Sequence, residues 1–592
     1  MISCLVDLKF KVQSAGIIIP VVCWLSAVSV KMRRCCVQVA VVFVLCLMTL
    51  SLGSSLPPDP AVVRTALGNL RGNSLVTYTG TSFFAFRGVR YAEEPTGDYR
   101  FKPPVPVKPW GSQVRDAMED GPVCPQPYAS QIGPKWSEDC LFLNIYSKKL
   151  SNNAKQPVMV FLHPGGYAAV TGSSYWDGPQ YLLEKDIVLV TINYRLGALG
   201  FLSTQDTILP GNYGMKDQVE AFKWVQQNIL AFGGDPDNVT IFGYSAGGAS
   251  VTLHMVSPLS RGLFHRAIAM SGSFTSGWAL NRDPKSLASR LARHLGCSSS
   301  DSRLIYACLM SHSAEQIVNA TSLIKDFAFE PIALFAPVIE VATDSNPFLQ
   351  EDPLILIRDG RFAQVPFVTG ITRDEFAARG YYVLQNKSLT EEFNNKFEKF
   401  APIEFMYERE GERSSNISAE IKRFYLGDQK ISNKSKTQFM QIYTDSLITF
   451  SVVQTARLFA AKSSSSVYLY LFDYQGKYSH NYVPGTKTPL GIAHHDDLIY
   501  LFYISKLFPE FNSSDPDASM VRILTSTWTT FAATGIPGNP CKSTTWEPLR
   551  RGDDKFLMIN RCYRMVQGVP FPRRMALWNS LFPLSGPRQQ YY

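Results

Sequence analysis

Five stretches set the strongest limit on what this chain can fold into: PVMVFLH (157–163), DIVLVTINY (186–194), VTIFGY (239–244), VPFVTGIT (365–372) and VYLYLFDY (467–474). Each has the length of a strand and is almost continuously apolar. A strand with one wet face alternates polar and apolar side chains, whereas a strand covered on both faces need not. Such runs therefore point to a largely parallel sheet held between layers of helix. Helical patterning fills the intervals. KDQVEAFKWVQQNILAF (216–232) repeats its apolar residues at helical spacing, and the stretch from Ser245 to Pro258 also suits a helix. The expected fold class is α/β, one large domain over residues 56–585. With 45% hydrophobic residues in 592, the chain can fill such a core, and no repeat, heptad run or long linker divides it after residue 60. The formal net charge of +9 falls to +5 once residues 1–55 are set aside. No basic block or basic helical face stands out, which argues against a nucleic-acid partner.

On a sheet of this kind the chemistry gathers at the carboxyl ends of the strands. One of those ends carries Gly243-Tyr244-Ser245-Ala246-Gly247, a Gly-x-Ser-x-Gly pattern between a strand and a helix. This is the context of a nucleophile elbow, in which glycines permit a sharp turn that leaves the serine hydroxyl at its tip. The pattern alone is weak: at average Gly and Ser usage, chance supplies about 0.2 matches in a chain this long. A plain Gly/Ser turn is the rival reading, so the partners must decide. In the order nucleophile, acid, base, the base must come late, and only His480, His494 and His495 qualify. His480 lies in a polar loop, whereas the His494-His495 pair in GIAHHDDLIYLF precedes an apolar segment. For the acid, Asp374 or Glu375 follows directly on the strand VPFVTG, with a surface Asp-Glu pair as the bland alternative.

Residues 1–55 read as targeting sequence. MRRCCVQVAVVFVLCLMTLSLGSS, from Met32, runs basic, then apolar, then small, in the order of a secretory signal peptide, with removal expected near Gly53 to Ser55. A retained anchor is the rival, and translation from either Met1 or Met32 fits. No second span or lipid-anchor tail is expected, so no stable membrane insertion is expected after removal, and residues 586–592 read as a polar tail. Six cysteines lie beyond the leader: Cys124, Cys140, Cys297, Cys308, Cys541 and Cys562. None makes a zinc-like spacing, so neither a metal nor a cofactor is expected. Sequons at Asn319, Asn386, Asn416, Asn433 and Asn512 fit a secreted glycoprotein; a sixth, Asn238, falls on a strand and is the least expected to be exposed.

Several motifs occur in an order that carries further information: FRGVRYAEEPTGDYRFKPP, EDCLFLNIY, FLHPGGY, INYRLGALGFLS, GNYGMKDQ, AFGGDPDNVTIFGYSAGGAS, AIAMSGS and GIAHHDDLIYLF. From about residue 60 to 582 the chain resembles the type-B carboxylesterase and cholinesterase family, most of all its insect branch. The resemblance implies an α/β-hydrolase fold and ester hydrolysis through an acyl-enzyme. It implies Ser245 as nucleophile, Glu375 as acid and His494 as base, the last standing three residues after Gly491 with a carboxylate pair just beyond. His495 occupies a place where the family commonly has Ala or Gly. The oxyanion hole is implied at Gly165, Gly166 and Ala246. There the chain departs from the family's His-Gly-Gly-Gly, because it has His163-Pro164-Gly165-Gly166, and proline has no N–H to donate. A second departure is Phe376, where a small residue usually follows the acid. The loops that the family closes imply disulfides Cys124–Cys140 and Cys297–Cys308. Cys541–Cys562 rests only on what remains, with two thiols as the alternative.

The resemblance also bears on the substrate, a small carboxylic ester of lipophilic character. The short 124–140 loop lacks the longer, Trp-bearing form of the choline site, which disfavours acetylcholine. Tyr244 stands where juvenile hormone esterases usually have Gln. The competing class is a non-catalytic adhesion or signalling homologue, which typically lacks a triad residue and carries a transmembrane span. A scavenger that deacylates slowly would have the same residues as a turnover enzyme.

Overall fold

The apolar runs form the middle of one large sheet. The structure is a computed structural model that describes residues 61–583, apart from 128–135, 298–299, 325, 329, 331, 342–345 and 543. The targeting segment and the polar tail lie outside the described residues. In chain order the strands begin with β1 (Val62–Arg64), β2 (Gly68–Arg71), β3 (Asn73–Val76), β4 (Ser82–Arg90) and β5 (Gly111–Asp116). They continue with β6 (Phe142–Ser147), β7 (Gln156–Leu162), β8 (Val188–Ile192), β9 (Gly234–Tyr244) and β10 (Arg266–Met270). The last four are β11 (Phe367–Thr372), β12 (Val467–Phe472), β13 (Lys555–Ile559) and β14 (Tyr563–Gln567). Three of them make a small sheet, β1-β2-β5, and eleven make the large one in the order β14-β13-β12-β11-β10-β9-β7-β8-β6-β4-β3. From β13 to β8 the neighbours run parallel, with antiparallel strands at both edges.

Alternate residues of the central strands enter two separate cores. Val158, Val160 and Leu162 of β7 join one, and Met159 and Phe161 join the other; Ile241 and Phe242 of β9 divide in the same way. Both faces are thus dry, which is why these strands show no polar alternation. The helices expected at 216–232 and after Ser245 are the helix Tyr213–Asn228, continued by a short 3-10 turn, and the helix Ala246–Val256. Strand β10 has no comparable apolar run before it. Its five residues, RAIAM, are too few to show a period, yet they sit between β9 and β11 in the middle of the sheet.

The ordered motifs are tied to one another by ion pairs. Arg90 of FRGVRY holds both oxygens of Asp139 at 2.6 and 2.7 Å, and Arg100 of YRFKPP grips Glu138 beside it. Arg195 of NYRLG makes a two-pronged contact with Asp217 of MKDQ at 2.8 and 2.6 Å, with the pair almost wholly buried. Planar forks of this kind fix orientation as well as distance, so they lock the segments around the sheet.

Disulfides join Cys124 to Cys140 and Cys297 to Cys308. The third expected bridge is not formed. Cys541, half-buried, and Cys562, exposed, are thiols that contact each other, and burial pushes the Cys541 thiol up to about 11. Their separation of about twenty residues in sequence could not decide this, since bonding depends on how the two Cβ atoms face each other. The one His/Cys/carboxylate group with metal-like spacing among the described residues is Cys297, Cys308 and His312, and both of its sulfurs are already in a disulfide. Asn319, Asn386, Asn416, Asn433 and Asn512 are all exposed, whereas Asn238 is half-buried and bonded to Arg266 and Ala533. No described helix is long and apolar enough to cross a membrane.

Candidate active site

Strand β9 ends at Tyr244, and the helix Ala246–Val256 begins one residue after Ser245. Ser245 turns between them at φ 55° and ψ −117°, a conformation costly for a residue with a Cβ. Its surroundings hold it there: its N–H donates to Met270 O at 2.8 Å, and its C=O accepts from Ala249 N–H at 2.8 Å. The turn is possible because the helix starts against the end of β7. A Cβ on Gly247 would lie 1.9 Å from the Leu162 carbonyl oxygen, so only hydrogen fits. Ser245 is 5% exposed.

The next loop over, after β7, is HPGGY. His163 stacks on Tyr194 with centroids 4.3 Å apart and donates from Nδ1 to Pro164 O at 2.8 Å, while Tyr194 OH donates to His163 O at 3.0 Å. Burial lowers the His163 imidazole to about 4, so it is neutral and structural. Gly165 has φ +113°, and a Cβ on it would lie 2.0 Å from Ala169 O. The amides of Gly165, Gly166 and Ala246 meet no acceptor among the described residues. That of Ala246 opens a helix, where the dipole favours negative charge. Gln126, in the loop closed by Cys124–Cys140, bonds Val170 through both of its amide atoms at 2.7 and 2.9 Å and so braces this loop from the side.

Glu375 and His494 come together at the ends of β11 and β12. Glu375 is fully buried. One of its oxygens accepts from Thr372 N–H at 2.8 Å and the other meets His494 Nδ1 in a short hydrogen bond. With the carboxylate ionised, Nδ1–H is the donor and Nε2 keeps its lone pair. That Nε2 is buried and has no partner among the described residues. Burial disfavours charge on both groups: it raises Glu375 to about 8 and drives His494 well below its ordinary value.

Of the two acid candidates, Asp374 serves the backbone instead. Its N–H donates to Ile492 O and its carboxylate accepts from Ile492 N–H, both at 2.9 Å, which joins the two loops. Of the three histidines, His480 lies beside Asp496, and His495, with φ 82°, packs 4.3 Å from His494 while its N–H donates to Tyr244 OH at 2.8 Å. Asp496 fixes the loop by accepting from Ala493 N–H and Ser479 OH, each at 2.8 Å.

Two contributors were not assigned these contacts from sequence. Tyr244, next to the serine, sets its ring edge-on to His494 at 5.0 Å and its hydroxyl on the His495 amide. Phe376 stacks on His494 with centroids 4.1 Å apart and planes 27° apart. The only sequence signal for either was a departure: Phe376 from the small residue that usually follows the acid, and Tyr244 from the Gln usual in juvenile hormone esterases.

Residues 59–578 match the carboxylesterase family. The chain is 37% identical over 510 residues to a juvenile hormone esterase of Tribolium castaneum, covering 83% of this chain and 86% of that protein. It is 36% identical over 525 residues to esterase FE4 of Myzus persicae, covering 86% and 89%. Among solved structures it is similar to the juvenile hormone esterase from Manduca sexta with OTFP covalently attached. The TM-score is 0.79 at 30% identity, covering 88% of this chain and all of that one. The chain belongs to the carboxylesterase family. It has the α/β-hydrolase fold and is a carboxylic ester hydrolase.

Proposed function

We propose that the chain hydrolyses a lipophilic carboxylic ester through an acyl-enzyme on Ser245. Ser245 Oγ attacks the ester carbonyl carbon as its proton passes to His494 Nε2. Glu375 accepts from Nδ1–H, which holds the ring in the required tautomer and stabilises the imidazolium. The carbonyl oxygen becomes an oxyanion that takes hydrogen bonds from the amides of Gly165, Gly166 and Ala246. The C–O bond to the alcohol then breaks, and the leaving oxygen takes the proton from the imidazolium. Water repeats the sequence on the acyl-enzyme: His494 removes its proton, the new tetrahedral intermediate collapses, and Ser245 recovers its hydrogen as the acid departs.

The observation that carries this reading is the buried Glu375–His494 pair, whose Nε2 is left without a partner among the described residues and whose ring lies 5.0 Å from that of Tyr244, the residue before Ser245. A lipophilic substrate is supported by the aromatic surroundings of the 163–167 loop, where Tyr167 packs 5.0 Å from Phe201 and 6.4 Å from Trp278. Two of the relatives are named for hydrolysis of a hormone ester; Tyr244 is engaged by His495 and His494 here, so the reading stops at the ester class. Secretion through the N-terminal leader belongs to the same reading. The test is a panel of p-nitrophenyl and naphthyl esters of rising acyl length. The expected outcome is hydrolysis that favours longer or aromatic acyl groups and falls by about a millionfold in Ser245→Ala. An active Ser245→Ala chain, or a preference for charged acyl groups, contradicts the reading.

A further inference from the structure

Phe376 occupies a position that an aromatic residue would not take by default. It precedes the helix Ala377–Gln385 with φ 47° and ψ 11°, in the left-handed region where a Cβ is disfavoured. Strain of this kind persists only where the surroundings over-determine it, and here they do. The phenyl face lies on the His494 imidazole at 4.1 Å. The Arg379 guanidinium lies 5.4 Å from the centroid of the same phenyl ring and is ion-paired with the buried Glu330. The Phe376 carbonyl accepts from Arg379 N–H at 2.9 Å. The imidazole is therefore walled by Phe376, by the edge of Tyr244 and by His495, and its Nδ1 is taken by Glu375.

We propose that Phe376 is a positioning residue for the base: its stacked ring fixes the imidazole plane of His494 and so the direction of Nε2. The proposal rests on the reading of His494 as base. A single hydrogen bond at Nδ1 leaves the ring free to swing about that bond, and a face-to-face neighbour removes that freedom. The stack also acts differentially. The imidazole carries a positive charge only while a proton is in transit, and the negative face of a phenyl ring attracts that charge more than it does the neutral ring. Both half-reactions pass through the imidazolium, so both depend on the stack. The wider surroundings oppose charge on the ring, since burial, His480 and Arg379 all disfavour it.

The test uses the full chain with Phe376→Leu, Phe376→Gly and Phe376→Tyr. Each is measured for kcat and KM on p-nitrophenyl butyrate and for the rate of labelling by a fluorophosphonate. Phe376→Gly removes the left-handed strain that Phe376→Leu keeps, and a melting curve for each variant separates loss of fold from loss of alignment. Without a flat ring, kcat and the labelling rate fall together by about 10- to 100-fold, as expected for a misaligned base. KM stays within about threefold, the mark of an interaction that belongs to the chemical step. Phe376→Tyr, which keeps the face, recovers kcat to within about threefold of the parent. Phe376→Gly with kcat within about twofold of the parent overturns the proposal, as does a change confined to KM, which would make Phe376 a wall of the substrate site. His494→Ala in the same assay separates the two levels: if it retains turnover, the reading of the base fails, whatever the Phe376 variants do.

Discussion

The two sides of the candidate site are built from different material. Around Ser245 and the 163–167 loop the parts are backbone: amides without acceptors, a left-handed turn, and a glycine that lets the helix start against Leu162. Around Glu375 and His494 the parts are side chains, and their contacts join segments 119 residues apart in sequence. The first side allows almost no added atom, because a Cβ would meet main chain that cannot yield. The second depends on a few side chains at its centre and accepts change at its margin. The difference teaches that failure should take two forms, loss of fold on one side and loss of chemistry in an intact fold on the other.

The largest expected effect tests the side-chain half. His494→Ala lowers kcat by about ten-thousandfold or more with the melting temperature nearly unchanged, whereas His495→Gly, which suits φ 82°, stays within about tenfold. Opposite results would place the base one residue later. The buried pair sets the acid limb. The working form is neutral imidazole beside ionised Glu375. Burial holds His494 well below 6.5 but raises Glu375 to about 8, so kcat/KM declines as pH falls through about 8, where Glu375 takes up a proton and Nδ1–H loses its acceptor. The backbone half is tested by Gly247→Ala, whose Cβ would lie 1.9 Å from Leu162 O. It is expected to cost about 3 kcal/mol of stability and to lose activity with the fold. If that variant melted like the parent but were inactive, the two sides would not differ as described. The smallest effect is Pro164→Gly. Proline has no N–H and so is no donor, and restoring glycine changes only loop stiffness, leaving kcat within about tenfold. A loss of about 100- to 1000-fold would mean that the hole is formed differently.

The same division explains what could be read from sequence. Backbone features demand particular residues, so Gly-x-Ser-x-Gly before a helix and Gly165-Gly166 after a strand are visible in one dimension. Doubly buried strands are visible because they lack alternation. Strand β10 was not, since RAIAM is too short to show a period. Contacts between distant side chains leave no spacing to find. Residue types alone left Asp374 and Glu375 equivalent until one was seen bonding Ile492 and the other His494. The Phe376 stack and the Tyr244 brace were hidden for the same reason. The thiols of Cys541 and Cys562 show the limit of spacing from the other direction, because proximity in sequence did not make a bond.

The central claim is that one serine, at the backbone-built elbow, receives the acyl group with the side-chain-built pair as its base. Labelling the active chain with a fluorophosphonate and mapping the modified peptide tests it most directly. The account predicts one label per chain, on Ser245, with activity lost in proportion to labelling and the labelling rate greatly reduced in His494→Ala. A label on another residue, or full activity in a chain labelled at Ser245, would contradict it.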